Sequence, residues 1–208
     1  PEEALAMVKS VLAAVDVPLI ITGHSHYETI NEVMKEIARG CAGENLLLSW
    51  VEQENYRTIA GAALAYGHTI AAQSPIDVNI AKQMNILLTN MNIPQERIVI
   101  DPVTSAIGYG IEYTYSVMER DRMAALTQQD ERLQFPILCN MAKEVWKTKE
   151  AKTKTEDAPN LGDAKKRGIL MESVTAIVLL LAGADVLVMR HPEAIKLVRE
   201  TITVLTAK

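Results

Sequence analysis

Residues 69–101 read TIAAQSPIDVNIAKQMNILLTNMNIPQERIVID. The first five form a short, largely apolar run, the signature of a strand covered on both faces in a parallel sheet. Val78, Ile80, Ala81, Met84, Leu87, Leu88 and Met91 then recur with the 3.6-residue period of a helix. Asp77 opens that helix, a residue type whose carboxylate accepts the first unpaired N–H groups. RIVID (97–101) returns to the strand pattern, so the whole stretch is one strand–helix–strand crossover.

The same alternation runs outward in both directions. PLIIT (18–22), LLLSW (46–50), FPILC (135–139) and VLVMR (186–190) are further strand runs, separated by helical periodicity. The chain opens on a helix and ends on another, with Pro192 at its start and an amphipathic run to Lys208. A helix followed by six strand–helix repeats is the rhythm of an α/β chain of the TIM (β/α)8-barrel type. The rival is an open doubly wound sheet, which normally opens on a strand and a Gly-rich turn. Gly23-His24-Ser25-His26 carries no G-x-G-x-x-G. Because a barrel closes at eight strands, residues 1–208 are expected to form a single barrel domain whose first two strands lie upstream of Pro1.

Composition narrows the functions. With 208 residues, 49% of them hydrophobic, the chain can bury a sizeable core. A net charge of −5 argues against nucleic acid, which needs a concentrated basic face. No apolar run reaches the roughly 20 residues of a membrane span, and PEEALAMVKS (1–10) is an acidic amphipathic helix, not a signal peptide. A soluble, cytoplasmic protein without a membrane partner is expected. Cys41 and Cys139 are too few for a disulfide framework or a four-thiolate cluster, so any iron–sulfur cluster is expected on a partner.

One connection breaks the short-loop rule. Residues 141–163 form a long basic loop before the helix that opens near Asp163, and from Lys143 to Arg167 eight Lys and Arg face five Asp and Glu. It reads either as a solvated loop or as a basic lid over the strand ends, where barrel ligands bind. Those ends carry Asp101-Pro102 with Thr104 and Ser105, then Gly108-Tyr109-Gly110 leading into a helix, and later Asn140 and Arg190. Glycines let backbone amides approach a ligand, and Asp101 suits hydrogen bonds from a heterocycle. The plain alternative is a Pro-stiffened turn. Arg190 reads equally as a ligand contact or as an ion-pair partner. His24 and His26 resemble the His-x-His metal pair of barrel hydrolases, yet no complete ligand set can be assembled around them, and no G-x-S-x-G elbow is present. No metal ligands and no acid–base catalytic residues are assigned.

DPVTSAIGYGIEYTYSVMERDRMAAL (101–126), LQFPILCN (133–140), EVWKTKEA (144–151) and KRGILMESVTAIVLLLAGADVLVMRHPEAI (166–195) resemble the small subunit of the corrinoid iron–sulfur protein of the acetyl-CoA pathway. That subunit is the delta subunit of the archaeal acetyl-CoA decarbonylase/synthase complex. The resemblance implies a barrel related to pterin-dependent methyltransferases and to dihydropteroate synthase. It also implies a heterodimer in which a large subunit holds the 4Fe-4S cluster and the corrinoid-binding domain, while this barrel caps the cobamide.

The implied role is the small subunit of a methyl carrier, moving a methyl group from a methylated pterin on a methyltransferase to acetyl-CoA synthase. Under it the cobamide is expected over Asp101, Thr104, Ser105, Tyr109, Gly110, Asn140, Trp146 and Arg190, with small polar groups for its amide arms and aromatic rings for its face. No Asp-x-His-x-x-Gly surrounds any of the four histidines, so no cobalt ligand is expected through that motif. The rival is a free-standing pterin methyltransferase that binds methyltetrahydrofolate itself. A scaffold without cofactor contact is third.

Overall fold

The computed structural model describes residues 1–23 and 26–207. Its elements run α1 (Glu2–Ala14), β1 (Ile20–Ile21), α2 (Tyr27–Gly40), β2 (Leu47–Val51), α3 (Tyr56–Tyr66), β3 (Thr69–Gln73), α4 (Val78–Asn90) and β4 (Ile98–Asp101). They continue with α5 (Ile111–Thr127), β5 (Leu138–Asn140), α6 (Ala142–Trp146), α7 (Lys149–Lys152), α8 (Ala164–Leu181), β6 (Val186–Val188) and α9 (Pro192–Thr206). Every strand falls on or overlaps its predicted run. Two of the shortened ones, β1 and β5, have local causes. Pro18 and Pro136 have no N–H to give a ladder, and the Ile137 N–H goes instead to the Asp185 carboxylate at 2.8 Å.

The chain divides into two compact units, residues 1–100 with 130–135, and residues 101–129 with 136–207. In the first, the strands lie in the order β1-β2-β3-β4. β1 pairs parallel with β2, and β2 parallel with β3. Ile30, Met34, Ile37 and Ala38 make the buried stripe of α2, while Ile59, Ala60 and Ala63 do the same for α3. Each large side chain so buried contributes roughly 1.5–3 kcal/mol. Asp77 caps α4 as expected, accepting from the N–H groups of Asn79 (2.7 Å) and Ile80 (3.4 Å). The buried face of α4 also holds Asn85, whose amide donates to the Arg132 carbonyl at 2.7 Å. His68 bridges two backbone segments, with Nδ1 accepting from Leu46 N at 3.2 Å and Nε2 donating to Ala38 O at 2.8 Å.

Two-sided burial holds for β2, β3 and β4 but not for β1 or β6. β1 stands at the end of the four-stranded order, and β6 pairs parallel only with β5 among the described residues.

In the second unit α5 packs against α8, β5 pairs with β6, and α9 lies along α8. The long basic connection is not a featureless loop. It folds into α6, α7 and a 3-10 turn at Pro159–Leu161. Arg167 fastens it, donating Nε to Glu150 O (2.6 Å), Nη1 to Gly162 O (3.2 Å) and Nη2 to Thr153 O. Asp163 then caps α8 by accepting from Lys166 N at 2.8 Å, where the sequence placed the helix start.

Candidate functional site

All eight residues expected at the cofactor fall in the second unit. Asp101 ends β4 and is buried, and its Oδ1 accepts from Val103 N at 2.9 Å. This closes the Asp-Pro turn on itself and holds Val103 at φ 57°, a left-handed conformation that costs a β-branched residue of the order of 1–3 kcal/mol. Part of the capacity that Asp101 was expected to offer a heterocycle is thus already engaged. Thr104 is buried beside Cys139, whose thiol is pushed up to about 12 by burial, the Thr104 hydroxyl acting in the opposite direction.

The glycine turn is likewise occupied by protein acceptors. Ser105 N donates to Thr114 Oγ1 (3.1 Å), Ile107 N to Thr175 Oγ1 (3.3 Å) and Tyr109 N to Ala106 O (3.0 Å). Gly110 stands at the N-cap of α5 with φ 99°, which a residue with a Cβ adopts only under strain. These bonds engage the amides of Ser105, Ile107 and Tyr109 within the protein and hold the turn around the two glycines.

Tyr109 is 48% exposed, but its phenol is tied. It donates to Glu150 Oε2 at 2.6 Å and accepts from Lys149 N at 3.3 Å, fixing α7 to the turn. The bond raises the tyrosine pKa and lowers that of Glu150. Asn140 closes β5, half-buried and in register with Val188.

Trp146 and Arg190 are brought together. The Arg190 guanidinium carbon lies 5.6 Å from the Trp146 ring centre, and His191 stacks on the same ring at 5.7 Å with 22° between planes. Among the described residues Arg190 makes no ion pair, so the ring is its neighbour where an acid was one of the two expectations. Trp146 is less free than expected, because its indole N–H donates to Glu172 Oε2 at 2.9 Å. Glu172, on α8 and fully buried, also accepts from Arg190 N at Oε1 and from His191 N at Oε2, the latter at 3.0 Å. Sequence reasoning missed this residue. The available signal was a lone acid in the apolar run GILMESVTAIVLLLAGA (168–184), where an unpaired charge is not stable.

Among the described residues, no group of three or more His, Cys, Asp or Glu is placed to hold a metal ion. His24, the first member of the His-x-His pair, lies outside the described residues.

Residues 1–205 match the family of the CO dehydrogenase/acetyl-CoA synthase delta subunit. The chain belongs to that family. Delta subunits of the acetyl-CoA decarbonylase/synthase complex are similar to it in Methanopyrus kandleri (40% identity over 97% of this chain and 49% of the relative), Methanosarcina mazei (36%, 96% and 47%) and Methanocaldococcus jannaschii (32%, 100% and 50%). The chain spans about half the length of these delta-subunit relatives. Among solved structures it resembles dihydropteroate synthases. That of Yersinia pestis, bound to a pterine-sulfa conjugate, has a TM-score of 0.64 at 15% identity, over 98% of this chain and 74% of the other. That of Xanthomonas albilineans, with 4-aminobenzoic acid, has 0.68 at 11%, over 98% and 73%. At such identity the likeness shows the fold alone, an α/β fold of the TIM-barrel type as the strand–helix rhythm predicted.

Proposed function

We propose that this chain is the barrel part of a delta subunit that caps a cobamide carried by a larger corrinoid iron–sulfur chain, within the acetyl-CoA decarbonylase/synthase complex. The observation that carries the reading is the family match over residues 1–205, supported by relatives that are each a delta subunit of that complex. The residues of the second unit suit the group. A corrin is a broad, largely apolar plate rimmed by amide arms, and Asn140, Ser105 and Arg190 supply donors and acceptors for amides. When bound, the cobamide supplies a low-valent cobalt able to take up and give back a methyl group. The chain's own residues orient and enclose, with the Trp146–Arg190 pair and the α6–α7 segment excluding water from one side. The 4Fe-4S cluster belongs to the larger chain, and the methyltransferase and acetyl-CoA synthase are the exchange partners.

The test is reconstitution of the full-length subunit with its corrinoid-bearing chain. Asn140→Ala and Arg190→Ala are expected to weaken assembly and corrinoid retention about tenfold each, against an unchanged surface control, Lys196→Ala, which makes a loose 3.9 Å ion pair with Glu200. Unchanged assembly in both variants overturns the placement. Methyl transfer from methyltetrahydrofolate by the isolated subunit would instead establish the free-standing methyltransferase.

A further inference from the structure

Trp146 lies lengthwise on α8. A Cβ built on Gly168 would stand 2.6 Å from its Cζ3 and 2.7 Å from its Cη2, while its Nε1 reaches Glu172 at 2.9 Å. Gly168 and Glu172 are one helical turn apart, about 6 Å along the axis. The ring is therefore held at both ends, by a glycine that leaves it room and by a carboxylate that takes its proton donor. The same carboxylate accepts from the backbone N–H groups of Arg190 and His191. Those two residues also place their side chains against the Trp146 ring, at 5.6 and 5.7 Å.

We propose that Glu172 is a positioning residue: through Trp146 it fixes α6, and through Arg190 and His191 the turn after β6, so that the guanidinium is presented on a preformed aromatic platform. Three N–H groups converge on one buried carboxylate, and hydrogen bonds to a charged acceptor are roughly twice as strong as neutral ones. The platform is consequently set before any ligand arrives, and its ordering is not charged to binding. The occupant is a flat macrocycle with amide arms, whose carbonyl oxygens take the guanidinium donors. This choice of occupant rests on the function proposed above.

Two readouts test it on the full-length subunit. The first is the indole N–H cross-peak of Trp146, assigned by its loss in Trp146→Phe, together with its rate of exchange with water. The second is affinity for the corrinoid-bearing chain. Glu172→Gln keeps the shape but puts a donor where one acceptor was. It is expected to shift the indole peak, to speed its exchange, and to lower affinity about tenfold, the scale of one lost charged hydrogen bond. Met84→Ala, buried on α4 in the first unit, serves as a variant that loses stability without touching the platform. It should leave both readouts in place.

If Glu172→Gln does not fold, Gly168→Ala displaces the ring from its other end and should give the same pair of changes. An unmoved indole peak in the folded variant overturns the proposal. So does a moved peak with unchanged affinity, or an equal loss of affinity in Met84→Ala. Failure of the wild-type subunit to bind the corrinoid-bearing chain is a separate outcome: it overturns the proposed function and the choice of occupant, while the indole peak still decides whether Glu172 positions the ring.

Discussion

The packing around Gly168 directly opposes its replacement. An alanine there gains about 1 kcal/mol of helix propensity, yet its methyl would meet the Trp146 ring at 2.6 Å, well inside any normal contact. Overpacking of this kind costs about 1–3 kcal/mol, so Gly168→Ala is expected to be destabilising in chemical denaturation, and Trp146→Leu in the same background to recover part of the loss. Buried thiols make a second case. Cys139 is fully buried with its pKa near 12, and Cys41 is buried with its pKa raised by the same desolvation. Burial disfavours the thiolate and blocks access to each sulfur, so iodoacetamide should label both only when the chain is unfolded. Labelling of Cys139 in the native protein within minutes would contradict the packing. His68 shows how far a residue's place in sequence falls short of its role. It precedes β3 in the sequence, yet it satisfies Leu46 N and Ala38 O inside the first unit. An alanine there leaves two buried backbone groups unpaired, at about 1–3 kcal/mol each.

At the scale of elements, α6 is anchored on α8 through Trp146 and the buried Val145, whereas α7 is tied by polar contacts, the Tyr109–Glu150 bond and the three Arg167 bonds. Glu150 has a lowered pKa, so its share of the attachment is complete above the ordinary carboxylate range and disappears as pH falls through its folded value. Tyr109 has a raised pKa, so its share is complete below the ordinary tyrosine value of about 10 and disappears as pH rises through the folded one. Amide exchange across residues 149–153 is therefore expected to be slowest between about pH 5 and 10 once corrected for intrinsic rates. Tyr109→Phe should speed that exchange several-fold without moving the exchange of β5. An unchanged profile would show that α7 does not depend on the phenol.

At the scale of the molecule, the two thiols stand in different units, Cys41 after α2 and Cys139 on β5. The polypeptide, separated from any partner, is expected to contain neither iron nor sulfide by elemental analysis. Stoichiometric iron would place a cluster where only two separated thiols are available, against a usual set of four. The strand–helix alternation, the caps at Asp77 and Asp163, and the family were all readable from the amino-acid sequence. Period, capping chemistry and long matching blocks are properties of neighbours in the chain, and every one of them survives without knowing what packs on what. Tertiary structure alone decided that the basic connection is built into helices, that the amides of Ile107 and Tyr109 go to Thr175 and Ala106, and that Glu172 gathers Trp146, Arg190 and His191. Glu172 stands 26 residues from one of those donors and 18 and 19 from the others. A contact at that range depends on the register of α8 against β6, which buried packing fixes and local pattern does not.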